Sequence, residues 1–99
     1  MTQDVFSEIA ALLRAEMPII GQIKAYAFGS AVYNAAAAND VDLLVIYENA
    51  DQPDLVRAVL SPVDLKMPLH LTFMLEEEEQ ETAFISSQKC ILLDLIGKA

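Results

Sequence analysis

Tyr26-Ala27-Phe28-Gly29-Ser30 and Asp40-Val41-Asp42-Leu43-Leu44-Val45-Ile46-Tyr47 decide the reading of this chain. The first stretch reads as a strand that ends in a tight turn, with Ser30 placed to cap a short helix. The second reads as another strand, apolar almost throughout after its two acids. Carboxylates at i and i+2 on a strand share a face, roughly 7 Å apart along the backbone. At that spacing they can converge on one hard cation, or on two placed close together. A Gly-Ser turn leading into a helix offers backbone N–H groups and a hydroxyl to a phosphate. Joined, the two stretches suit a metal-bound nucleoside triphosphate. Taken singly, each has a plainer reading: an ordinary capped turn, and a pair of solvated acids at the start of a strand.

Outward from this pair the chain alternates helical and strand patterns. Val5, Phe6, Ile9, Ala10, Leu12 and Leu13 recur at helical spacing and predict a helix from Thr2 to about Glu16. Thr2 is its expected N-cap, Asp4 lies in its first turn, and Pro18 marks its exit. Residues 22–28 form the strand before Gly29, and the alanine-rich stretch 31–38 a short helix. Asp51-Gln52-Pro53-Asp54 signals a helix start. Leu55, Val56, Val59 and Leu60 are that helix's expected buried face, and Pro62 limits or kinks it. Pro68 precedes a strand at 69–75, where Leu69, Leu71, Phe73 and Leu75 alternate with His70, Thr72 and Met74. Glu76 to Glu81 starts a last helix, with Ala83, Phe84 and Ile85 facing inward, and Cys90 to Leu95 is a final strand. The order predicts one α/β (α+β) domain over 1–99, a small mixed β-sheet with helices packed against it.

Composition narrows the classes further. With 55% hydrophobic residues the chain has ample material for a core, which argues against disorder. Its one cysteine, Cys90, allows no internal disulfide and suits a reducing cytosol. No apolar run is long enough for a bilayer, and the start Met1-Thr-Gln-Asp-Val-Phe lacks the pattern of a signal peptide. A soluble cytoplasmic protein is expected. The net charge is −9, and the six basic residues (Arg14, Lys24, Arg57, Lys66, Lys89, Lys98) are scattered. Nucleic-acid binding depends on clustered Lys and Arg, so no direct binding of DNA or RNA is expected. A triphosphate would need divalent cations for neutralisation, and the acidic surface suits a basic protein partner.

At Gly29-Ser30 and Asp40-x-Asp42 the chain resembles the nucleotidyltransferase superfamily of DNA polymerase β-like proteins. The hallmark there is Gly-Ser, a spacer of about ten residues, then Asp-x-Asp. More narrowly it is similar, over nearly its whole length, to the small stand-alone minimal nucleotidyltransferases. The resemblance implies the nucleotidyltransferase fold and transfer of a nucleoside monophosphate from a triphosphate, ATP above all, to an acceptor hydroxyl. Carried onto this chain, Gly29 and Ser30 would hold the triphosphate, and Asp40 and Asp42 would hold Mg²⁺. Small relatives are often paired with a helical HEPN (higher-eukaryote-and-prokaryote nucleotide-binding) protein in toxin–antitoxin systems. A HEPN-like partner is therefore implied.

Three departures from the family pattern shape the expectation. Active members often carry a third carboxylate on the next central strand; here that strand is Leu69-His70-Leu71-Thr72-Phe73-Met74, and His70 or Thr72 takes the place. His70 is a candidate base near neutral pH, and its plainer reading is a histidine satisfied at the sheet edge. The spacer Ala31 to Asn39 holds no Arg or Lys, where the family commonly has an arginine, and it is nine residues long. One Mg²⁺ is expected rather than two. A catalytically degenerate binding subunit, or an antitoxin docking on its partner, is the alternative. Larger members use a second domain to grip the acceptor, so here a partner or a second copy of the chain is expected to supply it. Of the remaining features, Glu76–Glu79 reads as a solvated helix start and Cys90 as a small core residue. Tyr33 and Asn34 either line a pocket or are simply exposed.

Overall fold

A computed structural model describes residues 2–33 and 40–93. Two helices, α1 (Thr2–Ala15) and α2 (Met17–Ile20), precede strand β1 (Lys24–Phe28) and the short helix α3 (Ser30–Tyr33). Strand β2 (Val41–Tyr47), helix α4 (Gln52–Asp64) and strand β3 (Leu69–Leu75) follow. Helices α5 (Glu76–Thr82) and α6 (Phe84–Ser87) then lead to the two-residue strand β4 (Ile91–Leu92). The strands form one mixed sheet in the order β3-β2-β1-β4. β1 pairs antiparallel with β2 and β4, and β2 pairs parallel with β3 across the α4 crossover. This is the α+β arrangement expected from the sequence.

Strand β2 is central and covered on both faces, which is why its sequence is an almost unbroken apolar run. Val41, Leu43 and Val45 face α1 and α4, where Phe6, Ile9, Leu13, Val56, Leu60 and Val63 complete the main core. Leu44 and Ile46 point to the opposite face and are buried as well. Helices α5 and α6 cover that face; Phe84 meets Phe28 edge-on, with ring centroids 5.1 Å apart.

Several local expectations shift. Pro18 does not end helical structure; it sits in the first turn of α2, where its missing N–H costs nothing. Pro62 lies inside α4 without ending it. The last helix is broken in two at Ala83, which is exposed and left-handed (φ 51°) rather than inward-facing. Residues 34–38 of the expected α3 extension, and 94 and 95 of the final strand, lie outside the described residues.

Asp51 makes no side-chain cap to α4. The neighbouring Gln52 has the larger role. It is 1% exposed; its Oε1 accepts from the N–H groups of Glu48 (2.7 Å) and Asn49 (2.9 Å). Its Nε2 donates to the carbonyls of Ile20 (2.9 Å) and Gln22 (3.2 Å). All four bonds engage backbone groups, the Ile20 carbonyl bond being buried and the others partly so. Gln52 thus ties the β2–α4 loop to the α2–β1 loop.

Candidate functional site

The antiparallel β1–β2 pairing and the parallel β2–β3 pairing bring three chain segments to one end of the sheet. There Phe28, at the end of β1, partners Asp42, and Asp42 partners His70 near the start of β3. Asp42, His70 and Phe28 consequently share the face covered by α5 and α6. Asp40 is not itself in the strand; it occupies the bend just before β2.

Gly29 turns the chain out of β1 with φ +83°, in the left-handed region that glycine enters without steric cost. A Cβ at this position would overlap Asp42 Oδ2. The glycine is therefore required twice, once by its backbone and once by the carboxylate seated against it. Ser30 follows as the exposed first residue of α3, and the Gly29 carbonyl accepts from the N–H of Val32 at 3.2 Å.

The acids interact. Burial pushes the Asp42 carboxyl above its ordinary range, and the nearby Asp40 charge pushes it further, with a partial offset from His70. His70 Nε2 lies 2.9 Å from Asp40 Oδ2, the two side chains being 58% and 39% exposed. The structure thus brings Gly29, Asp42, Asp40 and His70 together, with Ser30 next in the chain on the open side. Thr72 is further along β3, opposite Leu44. Among the described residues, no three His, Cys, Asp or Glu side chains gather closely enough to hold a metal ion by themselves. Magnesium asks for less: it usually takes one or two carboxylates and completes its shell with phosphate oxygens and water. Two mutually repelling carboxylates at an open sheet end fit that requirement.

A groove of about 490 Å³ lies elsewhere, between α1 and the β1–β4 edge, lined by residues such as Leu13, Met17, Ile23 and Leu93. Its described lining residues include no carboxylate, and the chemistry places the candidate site at Asp40 and Asp42 instead. Two features near the site escape sequence reasoning. The Tyr33 hydroxyl donates to the Lys89 carbonyl, which joins α3 to the turn before β4. Lys89 has a left-handed backbone (φ 53°). Neither has a local signal, because the partners are 56 residues apart.

Among the described residues, no helix is long and apolar enough to cross a membrane. No protein-family model, curated protein or solved structure matches this chain.

Proposed function

We propose that this protein is a magnesium-dependent nucleotidyltransferase that moves a nucleoside monophosphate, AMP from ATP, onto a hydroxyl of a protein or small-molecule acceptor. One observation carries the reading: the Gly29 turn and the Asp42 carboxylate are built against each other, with the Asp40 charge beside them. In the reaction the acceptor oxygen bonds to the α-phosphorus, the bond to the β-phosphate breaks, and pyrophosphate leaves. Asp40 and Asp42 would hold Mg²⁺, which when bound offsets charge on the phosphate oxygens. Gly29 and Ser30 would hold the phosphate tail through N–H and hydroxyl groups. His70, whose Nε2 lies 2.9 Å from Asp40 Oδ2, would serve as the base for the acceptor's hydroxyl proton. A cytoplasmic setting supplies ATP, and the acceptor arrives on a partner or on a second copy of the chain.

Calorimetry with ATP, with and without Mg²⁺, on the wild type and on Asp42→Asn tests this. Metal-dependent binding that the variant loses is the expected result. No binding under any condition would sink it.

A second reading has its own support. His70 stands beside Asp42 where an active relative's third acid is expected, and it engages Asp40. A site altered in this way suits a degenerate subunit or antitoxin that docks on a basic, HEPN-like partner through its acidic surface. Label from α-labelled ATP appearing on a co-expressed partner favours the enzyme. Metal-dependent nucleotide binding without such transfer favours the docking subunit.

A further inference from the structure

We propose that Lys89 is the phosphate-binding cation of this site, supplying from the far end of the chain the positive charge that the segment after Ser30 lacks. The inference rests on the nucleotide reading above. Strand β4 pairs with β1 through Tyr26–Leu92 and Ala27–Ile91. Two residues after Ala27 stands Gly29, and two before Ile91 stands Lys89. Lys89 thus stands in the turn that leads into β4, on the edge of β1 opposite the β2 edge that carries Asp42. The Tyr33 hydroxyl holds the Lys89 carbonyl against α3, the helix that Ser30 opens.

The lysine's conformation and charge point the same way. Its φ of 53° is a bend that glycine would make without strain, and strained positions of this kind cluster where a side chain serves a function. The other described lysines and Arg57 are engaged: Lys24 lies 3.8 Å from Glu76, Lys66 2.8 Å from Glu8, and Arg57 3.2 Å from Asp54. The Lys89 ammonium meets no carboxylate among the described residues. A magnesium-bound triphosphate remains anionic, and a lysine beside the turn that receives it is the matching charge.

Calorimetry on the full chain with ATP and with AMP, each with Mg²⁺, decides the matter. Lys89→Gln is expected to weaken ATP binding about tenfold, the scale of one charge-assisted contact, and to leave AMP binding unchanged. Lys89→Arg retains ATP affinity. Lys89→Gly relieves the left-handed strain, so it combines the same loss of ATP affinity with a higher Tm, which separates lost charge from lost fold. Wild-type ATP affinity in Lys89→Gln, or equal losses for ATP and AMP, would overturn the role of the lysine while leaving the nucleotide reading intact. A wild type that binds neither nucleotide overturns that reading, and the lysine's role with it.

Discussion

Asp40 Oδ2 and His70 Nε2 lie 2.9 Å apart across the start of the β2–β3 pair, although thirty residues separate them in the chain. The contact sets a histidine beside the two acids. It also leaves the site with two acids and one titratable ring. Whether such a site turns over is a question about charge, and charge can be changed at single positions.

His70→Asp supplies the third acid at the position paired with Asp42. Affinity for Mg²⁺ in the presence of ATP is expected to rise about tenfold, the effect of a further carboxylate ligand or close neighbour of one. Label transfer should rise with it. Isothermal titration in Mg²⁺ reads the first effect and α-labelled ATP the second; unchanged affinity would show that His70 lies outside the metal's reach.

Asp42→Asn should lose metal-dependent nucleotide binding yet stabilise the apoprotein at neutral pH. The Asp42 carboxyl titrates above its ordinary value, because burial first and Asp40 second disfavour its charge. A raised acid contributes stability below its unfolded pKa and loses it as pH rises through the folded pKa. At pH 7 the charged group is therefore a cost, which the amide removes. Solvent screening at so open a site holds the gain to about 0.5 kcal/mol. That gain corresponds to roughly 2–4 °C in Tm. Thermal scans of both proteins from pH 3 to pH 7 should show the gap opening as pH rises.

Gly29→Ala forces a Cβ into the space of Asp42 Oδ2 and a non-glycine residue into φ +83°. A loss of roughly 2–3 kcal/mol is expected in urea unfolding. Combining it with Asp42→Ala removes the clash but not the backbone strain. The double-mutant cycle should accordingly show a favourable coupling of about 1 kcal/mol. Simple additivity would mean that the carboxylate does not rest on the turn.

Gln52→Leu deletes four hydrogen bonds to backbone groups of two loops. Losing these bonds, one of them to the buried Ile20 carbonyl, is expected to cost about 2–3 kcal/mol. A fall in Tm of roughly 10–20 °C would follow. Nucleotide affinity measured well below that Tm should be unchanged, because the clamp lies away from the Asp40–His70 end of the sheet.

Much of the fold is legible locally. The apolar run 41–47 and the alternation over 69–75 coincide with β2 and β3, because strand periodicity and β-branched composition are local signals. The break at Ala83 is not legible. An alanine carries no sign of a left-handed backbone, and the Phe84 that follows it meets its partner Phe28 from the far end of the chain. Gln52 misleads in the same way: a glutamine at a helix start reads as solvated, and only two converging loops make it a buried clamp.

The sequence alone placed strands β2 and β3, most of α1 and α4, the turn glycine, and two acids at or just before the start of β2. Those are properties of neighbours within a few residues, set by side-chain size, branching and backbone freedom. Tertiary structure decided the rest. Sheet order and register pressed Asp42 onto Gly29, set His70 against Asp40, and brought the Lys89 backbone to Tyr33. Contacts across 30 or 56 residues form because the sheet closes around a shared core, and no local pattern specifies which strands that core will draw together.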